Sequence, residues 1–109
     1  MQLNLAQNRL VFLSNALHKL GATLRVLKLS GNSLTKMEGL EHLLALEYLD
    51  CSHNHISRIE KIDGCKRLSH LNLSFNAIAS LSNLSSLGTL KVPSVLFSFL
   101  TDCIQVVVL

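Results

Sequence analysis

A short pattern of leucines ending in one asparagine recurs along most of the chain. Each copy alternates apolar and polar positions before the asparagine is reached. The copies are LNLAQNRL at 3–10, LKLSGNSL at 27–34, LDCSHNHI at 49–56 and LNLSFNAI at 71–78. The last three asparagines are spaced by 22 residues, and the first precedes the second by 24. A period of this length predicts an array of stacked structural units, with two extra residues in the first.

Between these copies, apolar residues recur at every third position. They are Leu34, Met37, Leu40, Leu43 and Leu46, then Ile56, Ile59, Ile62, Cys65 and Leu68, then Ile78, Leu81, Leu84, Leu87 and Leu90. A period of three predicts short 3₁₀ turns in the segments that return the chain to the next copy. The first unit differs, because Leu13, Leu17, Leu20 and Leu24 are spaced more nearly as in an α-helix, with Gly21 as its stop.

The alternation within each copy predicts a short strand with two distinct faces. Successive side chains of a strand point in opposite directions, so Leu27 and Leu29 face the core while Lys28 faces solvent. Stacking the units places these strands side by side in a parallel sheet. The predicted fold class is therefore α/β, a solenoid with a parallel sheet on one side and short 3₁₀ or helical turns on the other.

These copies resemble the leucine-rich repeat family over residues 3–90. The 22-residue unit is similar to the class found in the regulatory subunit of protein phosphatase-1. The resemblance implies a right-handed superhelix whose sheet lines its concave side. It also implies a role in binding other proteins, although the same unit serves many unrelated binders.

The recurring asparagines are predicted to stack as a structural ladder. Where the chain turns after each strand, backbone groups become buried without a partner in the sheet. An asparagine side chain carries both a donor and an acceptor and can satisfy such groups. The predicted ladder consists of Asn8, Asn32, Asn54 and Asn76.

The solvent side of the predicted sheet, called the outer face below, is the candidate partner-binding surface. Its residue types vary between units while the inward positions stay aliphatic, as expected if one set packs and the other recognises a partner. Exposed aromatic residues are common anchors of interfaces, so Tyr48, His70 and Phe75 are the leading candidates. The full candidate set is Val26, Lys28, Tyr48, Asp50, His53, His70, Asn72 and Phe75.

The last 18 residues, 92–109, carry one charge and are mostly apolar. They fit a degenerate fourth repeat, an irregular apolar extension covering the last unit, or a membrane span, which Asp102 disfavours. The predicted domains are thus repeats over 1–91, with units near 3–24, 27–48, 49–70 and 71–91, and a separate segment over 92–109. Because no polar cap precedes Leu3, the pattern suggests a fragment or shortened isoform of a longer protein.

Composition and charge argue against several kinds of site. Three cysteines without a CxxC pair predict neither a disulfide framework nor a zinc site. The pair His53 and His55 lacks a further ligand at a suitable spacing, so no metal or other cofactor is expected. The net charge of +3 is small, and Lys28 is the one basic residue predicted on the outer face, which disfavours nucleic acid as a partner. The remaining alternative for nucleic acid binding is a basic cluster on the return segments, the convex side of the solenoid. It consists of Arg58, Lys61, Lys66 and Arg67.

We therefore expect a scaffold or adaptor that binds another protein through its outer face and is not an enzyme. The alternatives are a regulatory subunit of an enzyme such as a phosphatase, or a truncated isoform without activity of its own. No small-molecule substrate is expected. The absence of a convincing secretory signal near Arg9 predicts an intracellular, specifically cytoplasmic, location.

Overall fold

The computed structural model describes residues 1–58, 60–62 and 64–77, together with the backbone of three short strands near the C-terminal end. Four strands recur at the positions of the repeated pattern, namely β1 (Gln2–Asn4), β2 (Val26–Lys28), β3 (Tyr48–Asp50) and β4 (His70–Asn72). They form a parallel sheet in that order. This arrangement confirms the predicted solenoid with a parallel sheet.

The register of the sheet aligns equivalent leucines of successive units. Leu3 lies opposite Leu27, Leu27 opposite Leu49, and Leu49 opposite Leu71. The last three side chains have no exposed area, whereas Leu3 is half-buried. Burying an aliphatic side chain of this size stabilises a fold by about 1.5 to 3 kcal/mol, so this row is a major source of the stability of the stack.

The three-residue spacing of the return segments places apolar side chains in one continuous core. All five positions of the second unit are buried, and so are the described positions of the third. The buried set is Leu34, Met37, Leu40, Leu43, Leu46, Ile56, Ile62, Cys65 and Leu68. Ile59 and the corresponding residues from Ile78 to Leu90 lie outside the described residues.

The return segment of the first unit forms a 3₁₀ helix, Asn15–Leu20, rather than the expected α-helix. The Ser14 side chain accepts a hydrogen bond from the Ala16 N–H and caps the start. Gly21 ends the helix in a right-handed conformation and not in the left-handed one typical of a glycine stop. Its carbonyl accepts from the Ala45 N–H at 3.0 Å, so docking on the next unit sets its orientation.

Glu41 links the return segments of the first two units. One carboxylate oxygen accepts from the Gly39 N–H at 2.9 Å and lies 3.6 Å from Nε2 of His18. Burial is the largest single influence on the pKa of Glu41 and raises it. Backbone hydrogen bonds from Glu41 and Gly39, together with His18, outweigh burial, and the net pKa lies below the ordinary value of 4.5.

The lowered pKa of Glu41 predicts an acid-dependent loss of stability. Ionised Glu41 stabilises the fold above the pKa of the unfolded chain, and this contribution disappears as the pH falls through the lower pKa of the folded state. The urea midpoint of the wild type should therefore fall more steeply than that of Glu41→Gln as the pH is lowered from about 6 to about 3. Glu38→Gln, a change of an exposed residue in the same segment, is the control and should follow the wild type. Parallel curves for all three proteins would contradict the assignment.

The C-terminal strands are β5 (Phe99–Leu100), β6 (Cys103–Ile104) and β7 (Val107–Val108). β5 and β6 pair antiparallel with each other, and β7 pairs antiparallel with β4. The remaining residues between 78 and 109 lie outside the described part, so the boundary at 91 and the degenerate fourth repeat stay predictions. No helix among the described residues is long and apolar enough to cross a membrane.

Candidate functional site

The ladder asparagines join each unit to the one before it. Nδ2 of Asn54 donates to the carbonyl of Leu29 in the preceding unit and to those of Cys51 and Ser52 in its own, each at 3.0 Å. Its Oδ1 accepts from the buried Leu34 N–H at 3.0 Å. One buried amide thus bonds to four backbone groups in two units, with its two amide hydrogens shared among three carbonyl groups.

The neighbouring asparagines repeat this arrangement. Oδ1 of Asn32 accepts from the Leu10 N–H, and Oδ1 of Asn76 accepts from the Ile56 N–H. Each Nδ2 donates across the unit boundary, from Asn32 to Leu5 and from Asn76 to Cys51. Asn8 differs because it is exposed and bonds only within its own turn, to the carbonyls of Leu5 and Ala6.

The residues predicted for the outer face lie on the solvent side of β2, β3 and β4 or in the turns that follow them. In register across the sheet, Val26 lies beside Tyr48 and Tyr48 beside His70, while Lys28, Asp50 and Asn72 form a second row. Val26, Tyr48, Asp50 and Asn72 are half-buried. Lys28, His53, His70 and Phe75 are exposed.

Two pairs of rings lie across neighbouring units of this face. The Tyr48 and His70 rings have centroids 5.9 Å apart and are tilted by 31°. His53 and Phe75 stack more closely, with centroids 4.4 Å apart and an angle of 13° between their planes. Members of each pair are separated by the 22-residue period, and this signal in the sequence could have predicted both contacts. Stacked rings of this kind contribute about 0.5 to 1.5 kcal/mol beyond the area that they bury.

Asp50 and Asn72 also have a structural role that the sequence reasoning missed. Oδ1 of Asp50 accepts from the backbone N–H and the hydroxyl of Ser52, at 3.0 and 2.7 Å. Asn72 makes the same two bonds with Ser74, at the same distances. The spacing of two residues between an Asp or Asn and a Ser is the signal of such a turn. These oxygens are therefore engaged within the chain before any partner arrives.

The residue before each ladder asparagine has a left-handed backbone. The φ angles are 59° for Gln7, 70° for Gly31, 54° for His53 and 57° for Phe75. For a residue other than glycine this conformation costs roughly 1 to 2 kcal/mol. Only the second unit has the glycine that the geometry favours, and the third and fourth place a ring there instead.

The described residues offer no arrangement suited to metal binding or thiol chemistry. No group of three or more His, Cys, Asp or Glu side chains among them is placed to hold a metal ion. Cys51 directly follows β3, faces the core and is buried. Burial first, and the charge of Asp50 second, raise the pKa of its thiol far above the ordinary value. A thiol held neutral in this way is a poor nucleophile.

The basic residues are mostly on the return side. Arg58, Lys61, Lys66 and Arg67 are exposed there, and Lys28 is the exposed cation of the outer face among the described residues. Most of the exposed cations among the described residues therefore lie away from the outer face.

Comparisons with known proteins agree with this architecture. Residues 1–56 match the family model described as "Leucine rich repeat", and residues 44–86 match "Leucine Rich repeats (2 copies)". The structure is similar to that of an internalin (inlF) from Listeria monocytogenes str. 4b F2365, with 26% sequence identity and a TM-score of 0.71. The match covers 82% of this chain and 26% of the internalin, so this chain spans about a quarter of that structure. No curated protein sequence matches the chain.

Proteins built from such repeats generally act in protein–protein interaction, through the extended surfaces that stacking creates. They are typically interaction modules and not enzymes. Because one family model covers just over half of the 109 residues and the asparagine ladder explains its recurring motif, the chain belongs to the leucine-rich repeat family.

Proposed function

We propose that the chain is a scaffold or adaptor that binds a partner protein through its outer face. The observation that carries this proposal is the pair of ring contacts, Tyr48 with His70 and His53 with Phe75, on the solvent side of the sheet. The opposite side of the same strands is filled by buried leucines and needs no further cover. Rigid aromatic groups on a fixed scaffold lose little side-chain entropy on binding and are frequent anchors of interfaces.

Removing the ring of Tyr48 is expected to weaken partner binding without unfolding the domain. Tyr48→Ala should lower the affinity about tenfold, as is typical of an interface anchor. Its thermal unfolding should stay cooperative, because the side chain is half-buried at the surface and outside the core cluster. The measurement is affinity capture with the purified full chain, followed by titration of the captured partner against wild type and variant.

Phe12→Ala is the matched control for this experiment. Phe12 is 75% exposed and lies ahead of the 3₁₀ helix in the first return segment, so its removal should leave binding unchanged. A partner whose affinity is lost with Phe12→Ala and kept with Tyr48→Ala would place the interface on the return side and contradict the proposal.

An enzyme-regulating role is a narrower form of the same proposal. The resemblance of the 22-residue unit to the class in the protein phosphatase-1 regulatory subunit supports it, and the captured partner would then be an enzyme. An intracellular location is also part of the proposal. It is supported by the cysteine usage, since three cysteines without a CxxC pair are not typical of a secreted disulfide framework.

A further inference from the structure

The turn before each ladder asparagine does not require the side chains of His53 and Phe75. Gly31 fills the same position in the second unit, with the same left-handed φ, and its ladder asparagine keeps its hydrogen bonds. A side chain is thus unnecessary for the turn. Strained conformations at exposed non-glycine residues are concentrated at functional sites.

The two rings remain accessible despite stacking on each other. Phe75 is 56% exposed and His53 is exposed, so the pair presents an aromatic platform at the end of strands β3 and β4. Aromatic groups of a binding partner can lie against such a platform by offset stacking or edge-to-face contact. The platform therefore suits a ring in the partner.

Two charged residues, Lys28 and Asp50, lie side by side in register on the strands next to the platform. Among the described residues no carboxylate lies within 4.0 Å of the Lys28 ammonium. Asp50 lies next to Lys28 in register, and its carboxylate accepts hydrogen bonds from the N–H and the hydroxyl of Ser52. Glu47 forms an ion pair with Arg25. Lys28 therefore has no ion-pair partner within 4.0 Å in the described part of the chain, and its ammonium can pair with a carboxylate of a binding partner.

Resting on the proposed function, we propose that the His53–Phe75 platform and Lys28 together recognise an extended acidic segment of the partner protein. An aromatic side chain of that segment lies against the platform, and a carboxylate pairs with Lys28. Lys28 lies beside Asp50, and His53 follows Asp50 by three residues. At roughly 3.3 Å per residue, the acidic and aromatic residues of an extended segment should be separated by about two to four positions.

A protein segment fits this surface better than nucleic acid does. A bound strand would bring a phosphate with every base, and such grooves combine stacking rings with a track of several cations. The described outer face offers Lys28 alone, with half-buried Asp50 beside it. One carboxylate and one ring match what is present.

The first arm of the test measures stability and needs no partner. His53→Gly relieves backbone strain while it loses the ring contact, so the folding equilibrium constant should change by less than about threefold. His55→Gly is the matched control, since His55 is exposed without a positive φ, and should lower this constant about threefold. Gly31→Ala should lower it by about fivefold or more. A loss of about tenfold or more in His53→Gly would show that the ring is structural and overturn the inference.

The second arm measures binding of labelled synthetic peptides to the full chain by fluorescence anisotropy. The peptides carry one Phe and one Glu at separations of one to five residues, with Gln and Ala replacements as references. We expect peptides with two to four residues of separation to bind. Their affinity should fall about tenfold with Lys28→Gln or Phe75→Gly. Lys36→Gln, which removes an exposed lysine of the return side, is the control and should leave the affinity unchanged.

The possible outcomes separate this inference from the proposed function. Loss of a captured partner with Tyr48→Ala but not with Lys28→Gln or Phe75→Gly would leave the function standing and overturn the recognition chemistry. Absence of binding by every Phe and Glu peptide would also overturn it. Salt-sensitive, Lys28-dependent binding of a single-stranded oligonucleotide in place of the peptides would assign the platform to nucleic acid.

Discussion

Leu49→Ala is expected to lower the free energy of unfolding by about 3 kcal/mol. Leu49 has no exposed area and lies between Leu27 and Leu71, which are equally buried. Truncation removes apolar contacts in the middle of the stack and leaves a cavity that the neighbouring strands cannot close, since backbone hydrogen bonds hold them at a fixed spacing. Urea denaturation followed by circular dichroism measures the change.

Leu44→Ala provides the matched comparison for Leu49→Ala. Leu44 is 56% exposed on the return side, so the same truncation there should cost less than about 1 kcal/mol. Equal losses at the two positions would mean that the aligned leucines do not form the core of the stack.

Asn54→Ala is expected to cost about 3 kcal/mol as well, for a different reason. The buried Leu34 N–H loses its acceptor, and three carbonyl groups lose the Asn54 amide as a donor. A buried polar group left without a partner costs about 1 to 3 kcal/mol. Among the described residues, the Leu34 N–H has no second hydrogen-bond acceptor. The denaturant midpoint should fall accordingly, with little change in the slope of the transition.

The end of the ladder supplies the control for Asn54→Ala. Asn8 is exposed and bonds only to Leu5 and Ala6 in its own turn, so Asn8→Ala should cost less than about 1 kcal/mol. If Asn8→Ala and Asn54→Ala shifted the midpoint equally, the bonds that Asn54 makes across the unit boundary would contribute nothing to stability.

The sheet and its core could be predicted because each depends on a local periodicity. Alternation places Leu27 and Leu29 inside, and the 22-residue period aligns them with Leu49 and Cys51 of the next unit. The asparagine positions follow from the same period, together with the hydrogen-bonding capacity of the amide. None of these expectations requires knowledge of a distant contact.

The helix type of the first return segment could not be predicted from local periodicity. The spacing from Leu13 to Leu24 favours an α-helix, yet the segment forms a 3₁₀ helix. The Gly21 carbonyl accepts from Ala45 in the next unit, so packing between units overrides the local preference. Gly21 does end the helix, as the sequence predicted, with a right-handed backbone.

The candidate site was predicted as a set of positions but not as a set of contacts. The tendency of Tyr48 and His70 to face solvent follows from alternation, whereas their 5.9 Å ring separation depends on the parallel register. The engagement of Asp50 by Ser52 was missed because outward-facing polar residues were all treated as available to a partner. The left-handed backbone at His53 and Phe75 could not be predicted, because only the second unit carries a glycine at the equivalent position.

The central claim is that successive side chains along each strand and the residue after it alternate between a shared core and the outer face. Thiol labelling at the end of β3 tests this claim most directly. In a background carrying Cys65→Ala and Cys103→Ser, the native Cys51 is compared with a variant in which Asp50→Cys is combined with Cys51→Ala. Under native conditions, maleimide should modify the thiol at position 50 readily. Cys51, buried among the leucines, should react slower by at least about a hundredfold, and only through opening of the stack. Equal labelling rates at the two positions would contradict the account.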